Sequence, residues 1–327
     1  MNTRSLLLFC TGLFLLPQLP ARAQTDWDSL PIRVTPLRGG VHMLSAAGGN
    51  LAVFLGPDGT LVVDSDYAQL TERILATIGD LPAKMGGAEG AAGPPVAGGR
   101  IDPTIRFLAN THWHFDHTGG NENFARAGAI IVAHEAVARL MAEDQVLTAL
   151  GGREVPAAGK VALPVITFND RLNLAWNGDL IHLVHMPLAH SDGDVIVHFR
   201  DADVVHMGDL FFNGMYPYID VDFGGNLAGM VRATKEVLDH SNETTLFIPG
   251  HGSLATRSDL LAYHEMLRTT LERIQPLVEA GRTREEVIAA KPTADLDAAW
   301  VREPGSEEAD FFVGLVYDGM VKGGQGG

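Results

Sequence analysis

Residues 110–120 read Asn-Thr-His-Trp-His-Phe-Asp-His-Thr-Gly-Gly, which puts four metal-ligand side chains, His112, His114, Asp116 and His117, into six positions. Imidazole nitrogen and carboxylate oxygen are the donors that a borderline cation such as zinc accepts. The apolar run Ile105–Ala109 predicts a strand ending at the cluster, and a loop after a strand can fold several side chains around one point. In 327 residues with 13 histidines, chance would give this pattern on the order of once in a thousand chains. Solvated loop histidines are therefore a poor account of it, and the stretch reads as a metal site.

Three further ligand-type residues follow. His190 lies in Pro-Leu-Ala-His-Ser-Asp-Gly-Asp (187–194), Asp209 in His-Met-Gly-Asp (206–209) and His251 in Pro-Gly-His-Gly (249–252). Each is expected just beyond a strand end with Gly or Pro close by, so all three can converge on one sheet edge. His182, His185, His198 and His206 fall on predicted strands and read as core residues or as partners of the ligands; His42, His134, His240 and His264 carry no signal. Asp64, ending Val-Val-Asp, is a candidate hydrogen-bond partner for a ligand histidine.

The elements that must position these residues are legible from periodicity. Strands are expected at Val41–Leu55 and Thr60–Asp64 around the Gly-Pro-Asp-Gly turn, then at Ala129–Ala133, Val165–Phe168, Leu180–His185, Asp194–Phe199, Asp203–Met207 and Thr245–Ile248. Helices are expected at Tyr67–Ile78, Glu135–Leu150, Leu227–Leu238, Arg257–Ala280 with a kink or early stop at Pro276, and Ser306–Val321. Thr283-Arg-Glu-Glu is a capping-box start for a short helix. This order predicts an α/β layered domain with two sheets face to face and helices outside.

The ligand order H-x-H-x-D-H, His, Asp, His resembles that of the dinuclear metallo-β-lactamase superfamily, over roughly Gly40 to Leu254. The resemblance implies an αββα sandwich with two mixed sheets. It also implies His112, His114 and His190 on a first metal, Asp116, His117 and His251 on a second, and Asp209 bridging. Two zinc ions are expected, with iron or manganese as alternatives. Two such ions bring +4, and two carboxylates and a hydroxide −3, which leaves a modestly cationic centre. A hydroxide shared by ions about 3.5–4 Å apart is a strong nucleophile at neutral pH. Asp116 or a metal-bound water is the candidate proton donor to the leaving group.

A zinc-dependent hydrolase of amide or ester bonds follows, with β-lactams first among substrates and lactones or other carboxylic esters and thioesters as the alternative. Zinc β-lactamases most often carry Cys at the bridging position and a nearby Lys for the drug carboxylate; here Asp209 stands there, with no Lys or Arg until Arg232. Asn213, Tyr216 and Tyr218 are candidate substrate contacts. A thioesterase for glutathione conjugates is disfavoured by the export expected below. An iron-dependent sulfur dioxygenase and a metal-storage protein are the non-hydrolytic alternatives.

The formal charge of −16 argues against a phosphate-backbone substrate, so the expected partner is a small molecule and not nucleic acid. Arg4, the apolar run Leu6–Leu16 and Ala21-Arg-Ala23 read as an export signal cleaved after Ala23. The expected product is one catalytic domain, 24–327, periplasmic or secreted, without a stable membrane anchor. The only cysteine, Cys10, leaves with that signal, so disulfides and thiolate ligands are excluded from the mature chain. Removing Arg4 and Arg22 leaves 22 basic against 40 acidic residues, a charge of −18. The Gly/Ala/Pro-rich stretch 85–99 reads as a passive surface loop, with a lid as the alternative.

Overall fold

The computed structural model describes residues 25–85 and 101–324. The expected signal segment and all of the 85–99 stretch except Met85, which ends a helix, lie outside the described residues. The long apolar runs exist because most strands are covered on both faces, which removes the polar positions that a half-solvated strand would show.

Seven strands make the first sheet: β1 (Arg33–Pro36), β2 (Val41–Ser45), β3 (Leu51–Phe54), β4 (Thr60–Val63), β5 (Ile105–Ala109), β6 (Ile130–His134) and, past a hairpin, β9 (Ile166–Phe168). The hairpin is β7 (Gln145–Leu147) and β8 (Arg153–Val155). The second sheet runs β10 (Arg171–Trp176), β11 (Asp179–His185), β12 (Val195–Phe199), β13 (Val204–Phe212) and β14 (Leu246–His251). Both sheets are mixed: β4, β5, β6 and β9 run parallel, as do β13 and β14, and the remaining pairs are antiparallel.

Side chains alternate across a strand, and here the alternation sorts two cores. Met43, Ala52, Phe54, Leu61 and Val63 point between the sheets, where they meet Leu183, Val197 and Phe199. Their neighbours Leu44, Val53 and Val62 point outward onto Ile74, Ile78 and Phe124 of α1 (Thr71–Met85) and α3 (Asn121–Arg126). On the far side, α5 (Leu227–Asp239), α6 (Arg257–Glu279) and α9 (Glu308–Gly324) cover the second sheet through Met230, Tyr263, Leu267 and Phe312. The result is the expected α/β sandwich, layered αββα. Short helices complete it: α2 (Phe115–Thr118), α4 (Glu135–Met141), α7 (Arg284–Ala289), whose Thr283 capping box is formed, and α8 (Asp297–Trp300).

Several boundaries differ from the expectation. The run Val41–Leu55 is not one strand; it folds back at Ala46–Asn50 into the β2–β3 hairpin. The turn is pressed against the ligand loop, with Gly49 N donating to the Asp116 carbonyl at 3.0 Å. A Cβ on Gly49 would lie 2.0 Å from the His117 ring, so only glycine fits. The helix expected at Glu135–Leu150 stops at Met141, because Gln145–Leu147 is taken by pairing with β8. α6 passes through Pro276 and ends three residues later, at Glu279. Asp209 lies inside β13 and not beyond a strand end. β13 continues to Phe212 through an irregular register opposite Pro249 and His251. The residue before it, Gly208, has φ +51, and a Cβ there would meet the Thr111 side chain at 2.6 Å. β10, an edge strand of alternating half-buried Leu172, Leu174 and Trp176, was not foreseen.

Candidate metal centre

The ligand-type residues gather where chains leave the two sheets side by side. β5 delivers the Asn110–His114 turn, α2 carries Asp116 and His117, the β11–β12 loop carries His190, β13 carries Asp209 and β14 ends on His251. All seven side chains converge as two adjoining groups, His112, His114, His190 and Asp209, then Asp116, His117 and His251, and these could hold metal ions.

In the first group His114 Nδ1 lies 3.1 Å from His112 Nε2 and 3.0 Å from His190 Nε2. Asp209 Oδ2 is 3.7 Å from both His112 Nε2 and His190 Nε2. In the second, His251 Nε2 is 3.5 Å from His117 Nε2 and 3.4 Å from Asp116 Oδ2. Asp209 links the groups, since its Oδ1 is 3.0 Å from His117 Nε2 and its Oδ2 is 3.4 Å from His251 Nε2. Zinc–nitrogen bonds of about 2.0–2.1 Å in tetrahedral array put ligand nitrogens about 3.3 Å apart, close to what these rings show.

The hydrogen bonds behind the rings decide where the lone pairs point. Thr111 Oγ1 donates to Asp64 Oδ2 at 2.7 Å, so it must accept from His112 Nδ1 at 3.0 Å. His117 Nδ1 donates to the same Asp64 oxygen at 2.7 Å, and His114 Nε2 to Asp220 Oδ2 at 2.9 Å. His190 Nδ1 donates to the Tyr218 carbonyl at 2.9 Å. Each outer nitrogen holds its proton outward, and a neutral imidazole then has only a lone pair left on the other. Lone pairs facing each other at 3.0–3.1 Å repel unless a cation sits among them. Asp209 Oδ1 shows the same: it is buried and accepts no aligned hydrogen bond, although His117 Nε2 is 3.0 Å away. The residues present fit divalent metal.

The protonation states of His112 and His190 agree with this. Burial holds His112 well below the ordinary histidine range, helped by the adjoining imidazoles, and lowers His190 to about 4. In the second group burial is outweighed. Asp209, Asp116 and Asp64 keep His117 well above its usual value, and Asp209 and Asp116 lift His251 to about 9. The carboxylates respond in kind: against burial, His117 and His251 bring Asp116 down to about 2, and the same charges hold Asp209 well below the carboxylate range. Below about pH 9 His251 is therefore protonated in the metal-free chain, His117 is held protonated at neutral pH by its carboxylate neighbours, and a metal must displace those protons. Calorimetric zinc titration at pH 7 in buffers of different ionisation enthalpy should show about two protons released on filling the second group. Affinity should climb as pH rises from 7 toward 9, where His251 gives up its proton.

Asp64 thus fills the role expected of it. Asp220 is the site residue that sequence reading missed: it is fully buried, holds His114, and also accepts from Trp113 Nε1 at 3.2 Å. Nothing in Tyr-Ile-Asp-Val (218–221) marks that acid among the chain's 40 acidic residues. His206 is buried behind the site, where Nδ1 accepts from Gly208 N and Nε2 donates to the Asn50 carbonyl, so it fixes the β13 irregularity. His264 bonds Thr234 far from the ligand groups.

Asp116 and His251 are the most exposed members, at 17% and 24% of the side chain, and open into a cavity of about 220 Å³. Beside these and the ligand residues His114 and Asp209, its walls are Phe115, Leu147, Leu150, Phe212, Tyr218 and Phe311, with no Lys or Arg among the described residues. Of the candidate substrate contacts, only Tyr218 lines this cavity. Tyr216 lines the adjoining one of about 310 Å³, but its hydroxyl is committed to Asp297 Oδ1 at 2.8 Å. Asn213 lines neither and bonds the Ser253 carbonyl at 3.0 Å. Among the described residues no helix is long and apolar enough to cross a membrane.

The chain is similar to several known proteins. The family model for the metallo-beta-lactamase superfamily matches residues 46–255. Hydroxyacylglutathione hydrolase of Erythrobacter litoralis is 25% identical over 224 residues, 65% of this chain and 79% of that one. The acyl-coenzyme A thioesterase MBLAC2 of Gallus gallus is 32% identical over 139 residues, 39% of this chain and 48% of that one, so the match spans about half the relative's length. A solved metallo-beta-lactamase from Pontibacter korlensis superposes with a TM-score of 0.55 at 18% identity. The alignment covers 73% of this chain and 99% of that one, a likeness of fold alone.

Proposed function

Because the chain belongs to the metallo-beta-lactamase superfamily and is a metal-dependent hydrolase, we propose that it cleaves carboxylic esters or thioesters with an apolar acyl group, using two zinc ions held by the seven converged side chains. One observation carries this choice: apart from the ligand residues themselves, the cavity over the ligand atoms is walled by apolar and aromatic side chains, with no Lys or Arg among the described residues. The two relatives compared above are named as hydrolases of thioester type, which supports the same reading.

Bound zinc supplies Lewis acidity and a water of lowered pKa. The chain's own groups do the rest. Asp209 spans both ligand groups and fixes their separation. Asp64 and Asp220 orient His117 and His114 from behind. Asp116, ionised and open to the cavity, accepts a proton from the attacking water and passes it to the departing oxygen or sulfur. Phe212, Tyr218 and Phe311 exclude water and hold the acyl chain.

β-Lactams, placed first on sequence grounds, fit this cavity less well. Their carboxylate lies close to the reacting amide, and the nearest arginine of the adjoining cavity, Arg302, is tied to Glu308 at 2.9 Å. The test is hydrolysis by the zinc-loaded protein of acetyl and hexanoyl esters and thioesters, beside nitrocefin and a simple lactone. With about 0.8 kcal/mol per buried methylene, kcat/KM should rise at least tenfold from acetyl to hexanoyl. Turnover of nitrocefin alone would overturn the proposal.

A further inference from the structure

The β7–β8 hairpin stands beside the metal centre and presents different chemistry on its two sides. Leu147 and Leu150 face the cavity over the ligand atoms, whereas Arg153 on β8 faces a neighbouring cavity of about 410 Å³. Phe115, set between His114 and Asp116 in the chain, is a wall of both. The Arg153 guanidinium carbon lies 3.7 Å over the centre of that ring. Trp27 and Tyr67 form the opposite side, with ring centres 5.3 Å apart, and Tyr67 lies 6.0 Å from Phe115.

Among the described residues no carboxylate or carbonyl pairs with Arg153, unlike Arg302, Arg273 and Arg268 on the same acidic surface. A guanidinium stacked on an aromatic ring has lost much of its orientational freedom while its planar fork stays open to a carboxylate. In a chain of net charge −16, such a group at an enzyme cleft is a selective anchor for an anion that the rest of the surface repels. Glu154 also lines this cavity, and its acidic side chain disfavours an anion on the rest of that wall.

We propose that Arg153 determines substrate specificity by binding a carboxylate carried on an aryl group, which lies in the cavity lined by Phe115, Tyr67 and Trp27. The acyl tail occupies the cavity over the metals. The substrate class is then an amphipathic ester or thioester, apolar on one side of the scissile bond and an aromatic carboxylate on the other. This rests on the hydrolase reading above and adds the leaving-group side of the substrate to it. Arg153 does not line the cavity over the ligand atoms, so it serves an anion remote from the reacting carbonyl, unlike the adjacent carboxylate of a β-lactam.

Two measurements on the zinc-loaded protein test it separately from turnover. In the first, 4-carboxyphenyl hexanoate and phenyl hexanoate are compared in the native protein and in Arg153→Gln. The variant should raise KM for the carboxylate ester about tenfold or more, with kcat little changed and the neutral ester unaffected. Arg153→Lys, which keeps charge but loses the fork, should fall between. In the second, binding of 4-hexylbenzoate, which cannot be hydrolysed, is measured by calorimetry against 4-hexylbenzamide. The native protein should prefer the benzoate and Arg153→Gln should not. Failure of both esters to react would sink the hydrolase reading and leave the binding measurement to decide Arg153. Equal benzoate binding by native protein and Arg153→Gln, as for a carboxylate seated on the metal, would overturn the proposal, as would no benzoate binding at all.

Discussion

Replacement of Asp209 by Ala should lower hydrolysis by about three orders of magnitude or more and leave at most one zinc per chain. The expectation follows from its position between the two ligand groups, with one oxygen 3.0 Å from His117 and the other 3.7 Å from His112 and His190. Among the described residues it is the only carboxylate touching both groups, so its loss both opens a ligand position and removes one of the two carboxylates that offset two dications. Metal Lewis acidity and water activation are each worth several kcal/mol of transition-state stabilisation, which sets the scale. Removal of Asp209 also strips His117 and His251 of the partner that most raises their pKa. Metal content by elemental analysis, with steady-state kinetics on the same preparation, reads both effects. His264→Ala, altering a residue hydrogen-bonded to Thr234, should change neither.

The second large effect should come from Asp64→Ala, a change outside the ligand set. Asp64 is fully buried at φ +61 and accepts from Thr111 N at 2.8 Å, Thr111 Oγ1 at 2.7 Å and His117 Nδ1 at 2.7 Å. Alanine leaves three buried donors without an acceptor and two ligand rings, His117 and, through Thr111, His112, free to turn. Breaking a buried charged pair from one side costs about 3–5 kcal/mol. Loss of an outer partner lowers metal affinity about 10–100-fold. Urea denaturation should show the stability loss in the metal-free protein too, which separates it from the loss of bound zinc. An unchanged urea midpoint would mean that Asp64 does not hold the ligand loop.

These effects trace back to features of unequal visibility in the chain. The cluster His112–His117 is legible because ligands packed into one turn leave a local signature. His190, Asp209 and His251 are legible only together, because a single loop His or Asp has many ordinary reasons to exist. Asp220 left no trace, since its partnership with His114 spans 106 positions and exists only after folding. The same holds for the cleft walls: Leu147, Leu150 and Phe311 come from a hairpin and a C-terminal helix that periodicity reads as one long helix and one amphipathic face. The β2–β3 break at Ala46–Asn50 was hidden because small apolar residues continue the run, and only Gly48 and Gly49, pressed against α2, betray the turn. Asp209 is expected beyond a strand ending at Met207, yet it lies inside β13, because the irregularity that carries β13 on to Phe212 depends on Thr111 meeting Gly208 across space. Long-range packing, not local pattern, sets each of these features.

The central claim is that seven side chains hold two metal ions that are required for hydrolysis. The most direct measurement is the zinc content of the purified protein, with hexanoyl ester hydrolysis followed before chelation, after it, and after zinc is restored. The account predicts two zinc ions per chain, loss of hydrolysis on chelation and recovery on adding zinc. Hydrolysis that persists in the metal-free protein would contradict it.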